Sequence, residues 1–344
     1  MAEYQDYILE QLKNLIETDS PSGFTGKAVE YLMKTYQEMG YEPVMTNKGG
    51  VLVCLGGKEE GGAILTAAHI DTLGAVVAEI KSNGRLRLSP VGGISPHSIE
   101  TENCRVYTRF GKVYEGTCQI ANASVHVNKE FDKTERTYEH MEVVLDEDVR
   151  SAEDVKKLGI DNGDFICFEP VLRITESGYI KSRFLDDKLS AAILVGYAKY
   201  LKEEGKTPKR KMYQYFTVFE EIGHGASASI PSDVTEMISV DMGCVGDGIA
   251  CTEREVSICA KDSGGPYHYD LTTELIRTAK ENGVAYAVDV YPSYGSDVEA
   301  ALKSGYDARH GLIGPGVYAS HGYERSHVDG VKNTFRLLQA YLDG

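Results

Sequence analysis

A short apolar stretch that ends in two adjacent glutamates constrains this chain most. Thr217-Val218-Phe219 favours a buried strand, and Glu220-Glu221-Ile222-Gly223 follows it directly. Ionised carboxylates at the end of a buried strand are costly unless a cation or a proton compensates them. Because side chains alternate across a strand, we expect Glu220 and Glu221 to point to different sides, one available to a metal ion and the other to water. An isolated Glu-Glu pair is more often solvated or salt-bridged, so a metal site here requires further ligands elsewhere in the chain.

Two further apolar strands are followed by an acid or a histidine and then by glycine. Residues 63–69 lead into His69-Ile70-Asp71, and residues 237–240 lead into Asp241-Met242-Gly243. Residues two apart on a strand share a face, so His69 and Asp71 project together, and a metal-bound imidazole usually gives its other N–H to a carboxylate. Open α/β sheets hold their ligands outside the carboxyl ends of the strands. We therefore expect these strand ends to converge on one site.

An aspartate pair and a late histidine segment complete the candidate set. Asp186-Asp187-Lys188 precedes an apolar helix over residues 189–201, although paired aspartates at a helix start can also be no more than a cap. Histidines His321 and His327 precede the closing helix. Imidazole and carboxylate ligands suit zinc, cobalt or manganese better than magnesium. Two such ions can activate water and polarise a carbonyl, while a free glutamate serves as general base.

The order of the predicted helices and strands indicates an α/β fold with one inserted segment. Helical and strand segments alternate near both ends of the chain, as in an α/β sandwich. Between about residues 75 and 174 the segments are short, alternating and separated by glycine-containing turns, which is typical of a small β-barrel or β-sandwich. We therefore expect a catalytic α/β domain over residues 1–74 and 175–344, with an inserted domain over residues 75–174.

Charge, cysteine content and hydropathy exclude several classes of protein. A formal net charge of −16 argues against a nucleic-acid-binding face. Seven cysteines without a C-x-x-C pair indicate neither a disulfide framework nor a cysteine zinc site, and favour a reducing, cytoplasmic setting. No apolar run approaches the length of about 20 residues that spans a membrane, and the N-terminus lacks a signal pattern. A soluble intracellular protein without a membrane partner is expected.

The candidate motifs and their order resemble those of a known family. They are His69-x-Asp71-x-x-Gly74, Asp186-Asp187-Lys188, Glu220-Glu221-x-Gly223, Asp241 and the His321 segment. Together with the inserted β domain they resemble the glutamyl aminopeptidase group of co-catalytic metallopeptidases, the relatives of tetrahedral (TET) aminopeptidases. Some members carry the names deblocking aminopeptidase or endoglucanase. The resemblance extends over nearly the whole chain.

The resemblance implies a fold, a metal centre and an assembly. The fold would be a three-layer α/β/α metallopeptidase sandwich (phosphorylase/hydrolase-like) with an inserted β-barrel that forms dimers, and six dimers would close into a tetrahedral dodecamer. Two divalent ions, zinc first with cobalt or manganese as alternatives, would bind each subunit through His69, Asp186, Glu221, Asp241 and His321. Asp186 would be shared between the ions, and its peptide bond to Asp187 would be cis. Glu220 would be the general base and Asp71 the partner of His69.

Three positions depart from the family pattern. Lys188 stands where relatives have arginine, and Gly295-Ser296-Asp297 where they have Gly-Thr-Asp. His321 is followed by glycine instead of serine, so His327 stays open as the last ligand.

The expected function is removal of N-terminal residues from short peptides. The alternative is a metal-dependent deacylase or amidase acting on a small acylated amino acid or dipeptide. Two hypotheses from other classes are a glycosidase, since paired carboxylates also cleave sugars without a metal, and a non-catalytic scaffold.

Overall fold

The computed structural model describes residues 2–343. The α-helices are α1 Ala2–Ile16, α2 Gly26–Glu38, α3 Pro96–Ile99, α4 Ala152–Leu158, α5 Leu185–Glu203, α6 Tyr269–Glu281, α7 Asp297–Lys303 and α8 Val328–Leu342. The strands are β1 Val44–Met45, β2 Val51–Gly56, β3 Glu59–His69, β4 Gly74–Ile80, β5 Leu86–Val91, β6 Asn103–Tyr107, β7 Val113–Ile120, β8 Met141–Leu145, β9 Phe165–Phe168, β10 Arg173–Ile174, β11 Tyr179–Ser182, β12 Arg210–Thr217, β13 Val234–Val240, β14 Gly243–Val245, β15 Val256–Lys261, β16 Tyr286–Val290, β17 Arg309–Tyr318 and β18 Glu324–His327.

The chain forms two compact units. One consists of residues 2–71 together with residues 171–343, and the other is Thr72–Pro170. Within residues 2–343 the structure contains no helix with the length and hydropathy needed to cross a bilayer.

The first unit is built on a large mixed sheet. Its strand order is β1-β2-β12-β3-β13-β17-β18-β11-β10, with β14, β15 and β16 attached beside β17. The central strands β12, β3, β13 and β17 are parallel, whereas β2 runs antiparallel to β12 and β15 antiparallel to β17. Parallel strands need crossover connections, and α5 lies between β3 and β12 in the chain, while α6 and α7 lie between β13 and β17. The carboxyl ends of the central strands therefore lie at one edge of the sheet.

Helices cover both faces of this sheet, since its central strands bury residues on both sides. On one face, three residues of β3 (Ala63, Leu65 and Ala67) share a core with Val298 and Ala301 of α7. On the other face, the Gln214 amide of β12 donates to the Leu194 carbonyl of α5 over 2.9 Å. The resulting helix–sheet–helix arrangement confirms the predicted α/β class.

The second unit is a closed barrel with the strand order β4-β5-β8-β7-β6-β9. Its strands alternate between buried and more exposed residues, as in β7, where Gly116, Cys118 and Ile120 are buried. Helix α4 begins at the Ser151 cap, whose hydroxyl accepts from the Asp154 N–H, and ends at Gly159 with a φ of 91°. The predicted small β-barrel is confirmed.

Two local predictions near the sheet edge are wrong. Strand β12 ends at Thr217, and Glu220–Ile222 is a 3₁₀ turn, so the two glutamates do not alternate across a strand. The turn forms because Gly223 takes a φ of 81° and donates its N–H to the Glu220 carbonyl over 2.7 Å. The apolar pair Leu312-Ile313 predicts only a short strand, whereas β17 extends over Arg309–Tyr318, and β18 was not predicted.

Candidate metal centre

The candidate ligands lie at the carboxyl edge of the large sheet. His69 ends β3, Asp241 follows β13, and Thr217 of β12 lies beside His69 in the parallel register. Parallel neighbours end together, so the loop after β12 carries its two glutamates to the end of β3. Asp186 lies at the start of α5, and its peptide bond to Asp187 is cis, as the family resemblance implied.

Asp186 lies between two imidazoles. Its Oδ1 is 3.1 Å from His69 Nε2, and its Oδ2 is 3.6 Å from His321 Nε2. His321 Nε2 also lies 3.6 Å from Glu221 Oε2. One carboxylate with an oxygen facing each imidazole is the arrangement that a ligand shared between two ions requires.

Two groups of atoms can each hold an ion. The first consists of His69, Asp186 and Glu221, and the second of His69, Asp187 and Asp241. In each group the potential ligand atoms lie within 4.8 Å of one another. Asp187 is fully buried, and its Oδ1 lacks a hydrogen-bond partner of good geometry among the described residues. A buried, unpartnered carboxylate oxygen beside other acids fits a site for a cation. Sequence reasoning did not select Asp187 as a ligand.

The ionisation of these groups reflects crowded negative charge. Burial raises the pKa of Glu220 and of Glu221 well above the usual value, and neighbouring carboxylates add to the shift. Burial and Asp186 raise the pKa of Asp241 to about 7. Burial alone would lower the pKa of His69, but hydrogen bonds to Asp186 and Asp71 raise it well above its usual range. Such a cluster is short of positive charge, and divalent ions would supply it while displacing protons.

Glu220 lies close to the candidate ligands but, unlike Glu221, belongs to neither group of potential ligand atoms. Its Oε2 is 3.8 Å from His69 Nε2, and its side chain borders a cavity of about 470 Å³. Asp186, Glu221, Asp241 and His321 border the same cavity. The predicted base and four of the five predicted ligands therefore border one cavity.

Asp71 has a wider role in the structure than the predicted contact with His69. The His69 Nδ1 is 2.8 Å from the Asp71 carbonyl oxygen and 3.5 Å from its carboxylate Oδ1. The Asp71 carboxylate accepts the N–H groups of Glu220 (3.1 Å) and Glu221 (3.3 Å). Asp71 therefore fixes the start of the loop that carries both glutamates.

Glu324 is a residue that sequence reasoning missed. This buried carboxylate accepts the N–H of Asp186 through Oε2 and that of His321 through Oε1, each over 3.0 Å. His321 has a φ of 62°, a conformation that favours glycine, so its backbone needs such support. Glu324 joins two candidate ligands that lie far apart in the chain. The available signal was an acid three residues after the histidine.

The remaining histidine and lysine candidates have structural contacts. His327 Nε2 is 2.8 Å from the Ser177 carbonyl, and Nδ1 accepts the Asp329 N–H, which caps α8. His327 pairs with Asp329, whereas His321 lies 3.6 Å from both Asp186 and Glu221, so the geometry favours His321 as the last ligand. Lys188 donates to the carbonyls of Leu15 (2.8 Å) and Thr18 (2.7 Å), and so ties the start of α5 to the end of α1.

Known proteins resemble this chain in sequence and in fold. The sequence profile of the M42 glutamyl aminopeptidase family matches residues 49–337. The Bacillus subtilis protein named "Putative aminopeptidase YhfE" is 43% identical over 334 residues, which cover 97% of this chain and 96% of that protein.

Two solved structures share the fold at low sequence identity. The TET aminopeptidase of a Thaumarchaeota archaeon from marine sediment has a TM-score of 0.88 at 19% identity, covering 98% of this chain and 96% of that chain. The TET1 peptidase of Pyrococcus horikoshii has a TM-score of 0.85 at 22% identity, covering 97% and 98%. These two likenesses concern the fold alone, while the profile match spans most of the sequence. The chain therefore belongs to the M42 glutamyl aminopeptidase family and is a peptidase.

Proposed function

We propose that this protein is a dinuclear metal-dependent aminopeptidase that removes N-terminal residues from short peptides. The observation that carries the proposal is Asp186, with one carboxylate oxygen facing His69 and the other facing His321. His69, Asp186, Glu221, Asp241 and His321 would hold the ions, and the unpartnered Asp187 oxygen offers a further contact. When bound, the two ions would supply Lewis-acid activation of water and of the scissile carbonyl.

In this mechanism the chain's own groups move the proton. Glu220 borders the cavity beside His69, where its carboxylate can take a proton from water and return it to the leaving amine. Its buried position raises its pKa, which suits a group that must hold the proton between the two steps. Asp71 holds the backbone of Glu220 and Glu221, and Glu324 holds that of Asp186 and His321. The folded chain therefore keeps these side chains close together.

The test is a screen over aminoacyl-4-nitroanilides with metal-free protein and with added zinc, cobalt or manganese. We expect hydrolysis that requires one of these ions and is abolished by a chelator. Free-amine substrates should be preferred over their N-acetylated counterparts. Preference for the acylated substrates would instead support the deacylase, and chelator-insensitive sugar hydrolysis would support the glycosidase.

We further propose a homo-oligomer built through the barrel and closing into a tetrahedral dodecamer in the cytoplasm. The Pyrococcus horikoshii TET1 peptidase, as named, assembles into a tetrahedron or an octahedral shell. On the barrel unit, Phe110 is 94% exposed and Val127 is 73% exposed, and exposed apolar side chains favour association. The seven cysteines are all free, which suits a reducing compartment. Light scattering should give about twelve times the 37.8 kDa of one chain, and a monomer would contradict the assembly.

A further inference from the structure

Lys48 reaches from a hairpin turn to the loop that follows the two glutamates. Its ammonium group donates to the carbonyls of His224 and Gly225, the latter over 2.7 Å, and to the Ser227 hydroxyl over 2.9 Å. Three oxygen acceptors account for the full donor capacity of a lysine. The side chain is half-buried and belongs to none of the predicted motifs.

The position of Lys48 follows from the topology of the sheet. Strand β2 is antiparallel to β12, with Val51 opposite Phe216, so the turn before β2 lies at the carboxyl end of β12. Gly50 allows this close approach, since a Cβ at that position would lie 2.8 Å from the Phe216 carbonyl oxygen. The Thr46 hydroxyl accepts the Gly50 N–H over 3.0 Å and closes the turn. A lysine here is thus aimed at the loop after β12.

The loop 220–227 is held at both ends by charged groups from elsewhere in the chain. Asp71 accepts the N–H groups at its start, and Lys48 donates to the carbonyls at its end. Burial lowers the pKa of Lys48, while Asp297 and Asp71 oppose that shift, so the ammonium lies in the field of two buried carboxylates. Without Lys48, the His224 and Gly225 carbonyls would lose this donor, and the two carboxylates would lose a nearby positive charge.

Resting on the proposed function, we propose that Lys48 is a positioning residue for the general base Glu220. It acts through the backbone of residues 223–227 and does not contact the candidate ligands. By fixing the end of the loop, it sets where the Glu220 carboxylate stands relative to the ions. Misplacement of a reacting group by about 1 Å can cost about 100-fold in rate, so a remote cation can have a large effect.

The experiment compares Lys48→Met with Lys48→Arg and with the control Lys58→Met. Lys58 is an exposed lysine just beyond the other end of β2. In the metal-loaded enzyme, Lys48→Met should lower kcat by about 10- to 100-fold and leave KM within about threefold, because the loss concerns the reacting group. Lys48→Arg, which keeps the charge and several donors, should recover kcat to within about threefold. Lys58→Met should behave as wild type.

A second measurement does not depend on activity. In the loop, the Gly223 N–H bonds to the Glu220 carbonyl and the His224 N–H to the Phe219 carbonyl. Hydrogen exchange of these two amides in metal-free protein should rise by about tenfold or more in Lys48→Met and stay unchanged in Lys58→Met. If Lys48→Met does not fold, Lys48→Gln, which keeps a shorter neutral donor, decides by the same two readouts with smaller changes.

A wild-type kcat or an unchanged exchange rate in the Lys48 variant overturns the proposal, and so does an equal loss in Lys58→Met. The two proposals fail separately. If wild-type protein hydrolyses none of the free-amine substrates with any ion, the proposed function is wrong, and the exchange contrast still decides whether Lys48 holds the loop.

Discussion

Buried carboxylates at the two ends of the same parallel strands differ in how their negative charge is compensated. At the amino end, Glu236 of β13 is fully buried and accepts from Arg210 (3.1 Å), from Arg309 and from the Tyr341 hydroxyl (2.7 Å). At the carboxyl end, the ion pairs that Asp186, Glu220 and Glu221 form within residues 2–343 are with imidazoles. The first carboxylate is neutralised by guanidinium groups of the chain, while the second set is short of permanent cations.

This contrast separates structural acids from candidate functional acids. A buried charge persists only if it is paired, and arginines from neighbouring strands pair Glu236 within the fold itself. At the carboxyl edge, raised pKa values show that the chain's own groups leave the charge uncompensated. External cations can complete that edge, so it is where chemistry is expected.

The largest effect should come from Glu220→Gln. Removing the base should lower kcat by about 10³-fold while the protein still binds its ions, because Glu220 is not among the ligands. Steady-state kinetics and metal analysis on the same sample give both values. The matched variant is Glu221→Gln, which should lose metal as well as activity. Near wild-type turnover in Glu220→Gln would contradict the proposed mechanism.

At the opposite end, Glu236→Gln should affect stability and leave catalysis intact. Two arginines would lose their buried partner, so the free energy of unfolding should fall by about 2–4 kcal/mol. Urea denaturation measures this change, and kcat should stay at the wild-type value. Glu274→Gln is the control, since Glu274 is more exposed and lies 3.6 Å from Arg309. A loss of kcat at unchanged stability would contradict the structural role of Glu236.

Glu324→Gln tests whether a buried carboxylate at the carboxyl end supports the candidate metal ligands Asp186 and His321. Glutamine has only one acceptor oxygen, so its amide nitrogen, which cannot accept a hydrogen bond, would face the N–H of Asp186 or of His321. We expect affinity for zinc or manganese to fall by about 10- to 100-fold, as for other groups that orient ligands. Calorimetric titration measures it, with Glu253→Gln, which removes the ion pair to Arg325, as the control. Unchanged affinity would show that His321 needs no such support.

The smallest effect concerns the wall of the cavity, where Glu299 lies beside Asp262. Burial and then Asp262 raise the pKa of Glu299 from 4.5 to about 7. A carboxyl with a raised pKa contributes stability that is present below pH 4.5 and is lost as the pH rises through about 7. Glu299→Gln should therefore raise Tm at pH 8 by about 2 °C and give no gain at pH 4. Scanning calorimetry measures Tm at both pH values, with the exposed Glu281→Gln as control. If Lys303 neutralises Glu299, Glu299→Gln should instead lower Tm at pH 8.

Local pattern was enough to predict several elements correctly. The alternation and glycine spacing of the inserted segment predicted a β-barrel or β-sandwich, and the structure has a closed barrel. His69 and Asp241 were placed at strand ends, because apolar runs followed by polar residues identify the end of a strand. The 3₁₀ turn at Glu220 was missed, because the apolar run before it resembles a continuing strand, whereas Gly223 and His224 close a turn with their N–H groups.

By itself, the sequence determined the class of the fold, the order of its motifs and the kinds of ligand atom that they carry, because periodicity and residue chemistry are local properties. Only the tertiary structure decided that Asp186 lies between two imidazoles, that Glu324 joins Asp186 to His321, and that Lys48 reaches the glutamate loop. These contacts join residues that lie on different strands and helices. Their geometry follows from strand order and register, which short-range patterns do not encode.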